Sequence, residues 1–224
     1  MNKTVLITGA SRGIGLALAK CFLKNNYNVI GTSTTGKIKS FEHPNFKNLK
    51  LELSDEKDIN NIAQFLKNNN IEISILINNS GIGPDLDTLK PDIESFKKTF
   101  DINVIGTVFL TELLEPFIKM NGKIINISSK MGSIEFCALT DSTAYRMSKT
   151  ALNMYTKILS NRLINKQSVA SVHPGWVQTD ISPNSSINGR LLADDSGLKI
   201  FNFILSDFKT GIFWNIETES EIDW

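Results

Sequence analysis

The sequence predicts an α/β fold: one doubly wound domain on a mostly parallel, seven-stranded sheet with helices on both faces. Short runs rich in β-branched residues alternate with amphipathic segments of helical spacing along the whole chain, which is the pattern of βαβ units. No Pro/Gly/Ser-rich linker, composition shift or fixed repeat divides the 224 residues. A chain of this length buries roughly 70% of its unfolded surface, so its core needs no disulfide or metal.

Six β-branched runs read as strands: 3–8 (KTVLIT), 28–32 (NVIGT), 49–53 (LKLEL), 73–78 (ISILIN), 123–128 (KIINIS) and 168–173 (SVASVH). A seventh lies at 212–216 (IFWNI). Apolar residues at helical spacing place helices at 14–25, 56–69, 93–119 and 143–165. A further helix at 195–205 has Asp194 as its expected N-cap. The stretch 176–194 follows the sixth strand and holds Pro183, Asn184, Ser185, Ser186 and Gly189. Long loops inside compact domains often act as lids, and this one is the candidate substrate lid.

Composition narrows the function classes. With 41% hydrophobic and 21% charged residues, the chain reads as folded and soluble. Lys plus Arg total 24 against 23 for Asp plus Glu, a formal net charge of +1 with no charge run, which argues against a nucleic-acid or membrane partner and for a small ligand. The first residues, MNKTVLITGAS, form neither a signal h-region nor a membrane span. Cys21 and Cys137 lack CxxC spacing, which fits a reducing, cytoplasmic compartment and no metal site.

The first strand runs directly into Thr8-Gly9-Ala10-Ser11-Arg12-Gly13-Ile14-Gly15, where a helix opens. Glycines there permit a tight turn and let backbone N–H groups approach a pyrophosphate at the positive end of the helix. In many NAD-binding folds a carboxylate about 20 residues later takes the adenosine ribose. Here the second strand ends in Gly31-Thr32-Ser33-Thr34-Thr35-Gly36-Lys37, without an acid. A carboxylate would repel a 2′-phosphate, whereas hydroxyls such as Ser33, with Lys37 and Arg12, would bind one. The balance favours NADP(H) over NAD(H).

Tyr145 and Lys149 are four residues apart in AYRMSKTAL, which puts both on one face of a helix. A free phenol has a pKa near 10, and an ammonium about 4 Å away contributes on the order of 4 kcal/mol at an effective dielectric of 20. At about 1.4 kcal/mol per unit, one lysine is expected to lower the phenol by a unit or two and make an acid/base device. Taken alone, Y-x-x-x-K also fits an ordinary exposed helix pair.

The combination decides. The fourth strand ends in Asn78-Asn79-Ser80-Gly81 and the fifth in Asn126-Ile127-Ser128-Ser129, and ligands of open α/β sheets bind outside the carboxyl ends of the strands. The T-G-x-x-x-G-x-G turn, N-N-x-G, Asn103 in Asp101-Ile102-Asn103, S-S-x-x-G at 128–132, Y-x-x-x-K, and H-P-G-W-V-x-T at 173–179 occur in one order. In that order they resemble the short-chain dehydrogenase/reductase family across essentially the whole chain. The strings AYRMSK and HPGWVQTD are most similar to its carbonyl-reductase subgroup of sniffer and C-factor type.

The resemblance implies a Rossmann fold and a reductase that transfers hydride from NADPH to an aldehyde or ketone. It assigns Tyr145 as general acid, Ser129 as hydrogen-bond donor to the carbonyl oxygen, Lys149 to the nicotinamide ribose and the phenol, and Asn103 to a water of the proton relay. Ser129 matches the family's catalytic serine because it directly precedes the x-x-G. Cofactor contacts fall on Gly9, Ser11, Arg12, Gly13, Ile14, Gly15, Ser33, Asn79, Ser80, Gly81, Asn103, Tyr145, Lys149, Pro174, Gly175 and Thr179. Met131, Phe136 and Trp176 are the substrate-contact candidates, while His173 reads as structural. Ser80 departs from the family's usual alanine, and Ser54 from its usual aspartate after the third strand. Family members commonly pair through their long helices, which implies a homodimer or homotetramer. A sensor of NAD(P)(H) with little turnover is the alternative, against which an intact Asn103, Ser129, Tyr145 and Lys149 argue.

Overall fold

A computed structural model describes residues 3–38 and 42–224. Its strands are β1 (Thr4–Ile7), β2 (Asn28–Ser33), β3 (Phe46–Lys50), β4 (Ile73–Asn78), β5 (Ile118–Ile127), β6 (Ser168–His173), β7 (Ile212–Asn215) and β8 (Ser220–Glu221). They form one sheet in the order β3-β2-β1-β4-β5-β6-β7-β8. Pairing is parallel from β3 to β7, and β8 adds an antiparallel edge. The sheet therefore has one more strand than the seven expected, because a two-residue strand is too short to carry a periodic signal.

Helices cover both faces. On one side lie α1 (Gly13–Lys24) and α7 (Ala193–Leu205); on the other lie α2 (Glu56–Asn68), α4 (Thr107–Leu114) and α5 (Thr143–Arg162). Successive strand residues point to opposite faces, so Val5 and Ile7 join Leu18, Phe22, Ile200 and Ile204, while Leu6 joins Leu66, Leu110, Leu152 and Leu159. Phe22 and Phe201 pack edge to face with ring centroids 4.9 Å apart, which ties α1 to α7.

Four boundaries depart from the sequence reading. The helix expected over 93–119 is α3 (Ile93–Phe100), a π-helical turn (Asp101–Gly106), α4 and a 3₁₀ turn (Glu115–Phe117). Gly106 explains the close fit of that turn, since a Cβ there would stand 2.1 Å from the Leu53 carbonyl oxygen. Pro116 lacks the N–H that would extend the helix, and β5 begins already at Ile118. The third strand is Phe46–Lys50 rather than 49–53, because it pairs with β2 from Val29↔Phe46 to Ser33↔Lys50. Leu51 and Leu53 are buried beyond its end and mimic strand alternation. Asp194 is not the cap of α7: Leu192 occupies that position without a side-chain bond, and Asp194 and Asp195 sit in the first turn, where they meet the helix dipole.

The stretch 176–194 is more ordered than its composition suggests. It contains α6 (Pro183–Asn188), begun by Ser182, whose Oγ accepts the Ser185 N–H at 3.1 Å. Its two ends are zipped: Gln178 N–H donates to Leu191 O at 2.8 Å and Arg190 N–H to Trp176 O at 2.6 Å. No described helix is long and apolar enough to cross a membrane.

Candidate active site

The carboxyl ends of β1, β4, β5 and β6 meet at one edge of the sheet, and the sequence-predicted residues gather there. After β1 the chain passes through Gly9 and Gly13, both in the left-handed region at φ +66° and +53°, which favours glycine. Gly15 is required by space: a Cβ would lie 2.3 Å from the Gly9 carbonyl oxygen. Helix α1 begins at Gly13 with Arg12 at its N-cap and no side-chain cap. That leaves the positive end of α1 open beside Ser11 and Ile14.

Asn79 staples this turn to β4. Its amide donates to Thr8 O at 2.9 Å and Gly9 O at 3.2 Å, while Thr8 Oγ1 accepts the Asn79 and Ser80 N–H groups, both at 2.9 Å. A Cβ on Gly9 would lie 2.8 Å from Ser80 Oγ, so the serine in place of alanine fits only against glycine. At the end of β2, Ser33 is buried and donates to Lys37 O at 3.4 Å. Arg12 Nη1 lies 3.7 Å from Asp180 Oδ2 in the loop after β6.

The π-helical turn carries Asn103, whose side chain is consumed by one backbone unit. Its Oδ1 accepts Ile82 N–H at 2.9 Å and its Nδ2 donates to Ile82 O at 2.8 Å. Nδ2 also reaches Ser148 Oγ at 3.1 Å, which ties β4's loop to α5. Gly81 fills the gap between them, since a Cβ there would be 3.3 Å from Asn103 Oδ1 and 3.4 Å from Lys149 Nζ.

Ser129, Tyr145 and Lys149 converge. The two adjacent serines after β5 have separate jobs: Ser128 Oγ donates to Asn153 Oδ1 at 2.7 Å, whereas Ser129 Oγ caps a 3₁₀ turn by accepting Met131 N–H at 3.1 Å. Ser129 also hydrogen-bonds the Tyr145 phenol, which lowers its pKa, yet burial dominates and pushes the phenol up to about 12, with Asp85 adding to the rise. This corrects the expectation from charge alone. Lys149 stands 5.6 Å from the Tyr145 ring centroid and is itself brought down to about 8 by burial, its Nζ donating to Ile127 O at 2.9 Å.

A cavity of about 470 Å³ opens in front of Ser129 and Tyr145. All three substrate candidates, Met131, Phe136 and Trp176, line it, as do Ile14, Pro174, Gly175 and Thr179. The wall around Phe136 is held by Ser133 Oγ donating to Asp223 O at 2.6 Å and Ile134 N–H to Trp224 O at 2.7 Å. His173 also borders the cavity, with its pKa pushed down to about 4 by burial, although Glu217 Oε2 lies 3.7 Å from Nε2.

Sequence reasoning missed Asp85. It is buried, and its carboxylate accepts the N–H groups of Ala144 at 2.7 Å and Tyr145 at 3.2 Å. A lone aspartate in an aperiodic loop gives no local signal. Among the described residues, no group of three or more His, Cys, Asp or Glu could hold a metal ion.

Residues 3–188 match the short chain dehydrogenase family. The chain belongs to that family. Among curated short-chain dehydrogenase relatives, 3-amino-tetrahydro-pyrrolizinone reductase of Xenorhabdus hominickii is 30% identical over 201 residues, covering 87% of this chain and 68% of that protein. Farnesol dehydrogenase of Aedes aegypti is 29% identical over 203 residues, covering 84% and 82%. Among solved structures, the carbonyl reductase Sniffer of D. melanogaster superposes with a TM-score of 0.89 at 26% identity over 100% of both chains. The NADPH-bound carbonyl reductase from chicken fatty liver does so at 0.89 and 28% identity, over 100% of this chain and 94% of that one. This short-chain dehydrogenase thus has carbonyl reductases among its structural neighbours, and it is an oxidoreductase by family.

Proposed function

We propose that the chain is a cytoplasmic, NADPH-dependent reductase of aldehydes or ketones. The observation that carries this reading is Ser129 and Tyr145 together on the wall of a cavity that Met131, Phe136, Trp176, Val177 and Ile181 make largely apolar, with Lys149 Nζ 5.6 Å from the Tyr145 ring centroid. The residues fit a dinucleotide: glycines that tolerate no Cβ stand at the open positive end of α1, and β2 ends without a carboxylate. Gly9, Ser11, Gly13, Ile14 and Gly15 would hold the pyrophosphate side, Arg12 and Ser33 the 2′-phosphate, and Asn79, Ser80 and Gly81 the adenosine half. Pro174, Gly175 and Thr179 flank the nicotinamide.

When bound, NADPH would supply the hydride for the carbonyl carbon. The chain does the rest. Ser129 Oγ accepts Met131 N–H, which turns its hydroxyl hydrogen toward the Tyr145 phenol and the place of the substrate oxygen beside it. Tyr145, held protonated by burial, gives its proton to that oxygen. Lys149 holds the ribose and draws charge from the phenol as it ionises. Asn103 fixes the loop after β4 and anchors the relay that returns the proton.

The domain is single, with 176–194 as a lid over the cavity. The lid lines it through Trp176, Ile181 and Asn184. Exposed Ile105 and Phe109, beside exposed Met147, Met154 and Ile158 of α5, provide an apolar face for a homodimer or homotetramer. A panel of aldehydes and ketones with NADPH tests the reading; binding without turnover across the panel would replace it with the sensor alternative.

A further inference from the structure

We propose that Asp85 is the positioning residue for Tyr145: its buried carboxylate, rather than the helix's own N-cap, fixes the first turn of α5 and with it the phenol. The catalytic consequence rests on the reductase reading above, whereas the placement of the phenol does not.

The start of α5 is unusual. Ser142 occupies the N-cap in the left-handed region, at φ 57° and ψ 41°, and makes no side-chain cap. Its hydroxyl faces away from the helix, accepting Asp87 N–H and donating to Asp141, both at 3.0 Å. Asp85 replaces the missing cap from a different segment: Oδ2 accepts Ala144 N–H at 2.7 Å and Oδ1 accepts Tyr145 N–H at 3.2 Å. Both amides are buried with their residues, so no solvent substitutes for the carboxylate. A negative charge at a helix N-terminus also opposes the positive end of the dipole.

The same loop grips the ring. A Cβ on Gly83 would lie 3.1 Å from Tyr145 Cδ2, and Ser142 N–H donates to Thr88 O at 3.0 Å, so residues 83–88 form one clamp on the start of α5. Around the phenol, Ser129 comes from the loop after β5, Lys149 from α5 itself at 5.6 Å from the ring, and Asp85 from the clamp. Arg146 is turned to Asp141 at 2.9 Å, and His173, with a pKa of about 4, is uncharged at neutral pH. Among the groups that act on the phenol, Asp85 is the acidic one, and it favours the protonated form.

The closing experiment replaces Asp85→Asn, which keeps the shape and removes the charge, and follows the three tyrosines by ¹³C labelling of their ring carbons. Tyr145→Phe assigns the resonance. Burial keeps the phenol high in both proteins, and Tyr145 is expected to titrate at lower pH in Asp85→Asn than in wild type, with no change at Tyr27 or Tyr155. In the reductase assay kcat falls roughly 10- to 100-fold with the KM for NADPH unchanged, and the alkaline limb of the pH profile moves to lower pH. Should Asp85→Asn fail to fold, Ser142→Ala loosens the clamp at Asp87 while leaving the Asp85 charge in place, so kcat is expected to fall with the KM for NADPH unchanged. A Tyr145 titration identical to wild type in folded Asp85→Asn, or an unchanged kcat in Ser142→Ala, overturns the proposal. A wild type that reduces no carbonyl overturns the reductase reading alone, since the titration still decides the placement.

Discussion

Lys149 lies one helical turn from Tyr145, yet its ammonium is aimed past the ring at the last carbonyl of β5, 2.9 Å from Ile127 O. Burial brings the lysine down to about 8 and the tyrosine up to about 12, so both hold their protons at neutral pH. Tyr145→Phe removes one hydroxyl and keeps the ring. NADPH affinity is then expected to stay within about twofold while carbonyl reduction falls by 10² or more, as for loss of a positioned acid. Lys149→Ala is expected to damage both, and cofactor titration beside a turnover assay separates the two variants. Full reductase activity in Tyr145→Phe would refute the assignment.

Arg12 and Asp180 form an ion pair at 3.7 Å with side chains 76% and 73% exposed. A pair so exposed contributes about 0–1 kcal/mol, whereas a guanidinium on a phosphate makes charge-assisted bonds of about 1.5–3 kcal/mol, so Arg12 is free to exchange partners. Arg12→Ala is therefore expected to weaken NADPH by about tenfold or more and leave NADH nearly unchanged. Fluorescence titration with both cofactors checks it. Equal or tighter binding of NADH to the wild type would overturn the NADPH preference.

The fold was legible because its strands are β-branched and its helices periodic; the motifs at 8–15, 78–81 and 128–132 sit where strands end, and that at 145–149 in the first turns of α5. What escaped is held by contacts without a local period. The break in the helix over 93–119 depends on Gly106 meeting Leu53 from another segment, and the position of β3 on its register with β2. The direction of the Tyr145 shift was misjudged because sequence spacing gives the distance to Lys149 but not the burial that outweighs it. A polar chain beneath the site was likewise invisible: Asn78 donates to Asn126, Asn126 to Thr156, and Ser171 and Ser128 both to Asn153, at 2.7–3.0 Å. It braces Ser128 and thereby the neighbouring Ser129.

His173 gives the stability a dependence on pH. The unfolded chain binds a proton on this residue near 6.5 and the folded protein near 4, since burial disfavours the imidazolium more than Glu217 favours it. Stability is complete above about pH 6.5 and is lost as pH falls toward 4, a change on the order of 3 kcal/mol. Denaturant unfolding at pH 7 and pH 4.5 is expected to show a larger loss for wild type than for His173→Gln, which has no proton to take up. Equal losses would mean that His173 titrates normally in the fold.

The lid prediction follows from how few bonds cross the cavity mouth. Within residues 176–194 the two ends are zipped together, so the segment moves as a unit. Arg190 anchors that unit by pairing with both oxygens of Glu217, at 3.2 and 3.1 Å, and stacks on Trp176 with its guanidinium 5.8 Å from the ring centroid. Across the mouth, Asn184 donates to Asp87 at 3.3 Å, a long bond at an exposed site that stabilises closure weakly. Gly175, with φ +82° just before the lid, is the position able to absorb a hinge rotation. NADPH is therefore expected to raise amide protection across 176–194 in hydrogen exchange, most strongly at α6, which spans Pro183–Asn188. Arg190→Ala is expected to raise exchange over the same stretch without cofactor, because it frees the anchor rather than the mouth. Protection that NADPH leaves unchanged, with exchange in Arg190→Ala equal to wild type, would show that the segment is a fixed wall of the site and not a lid.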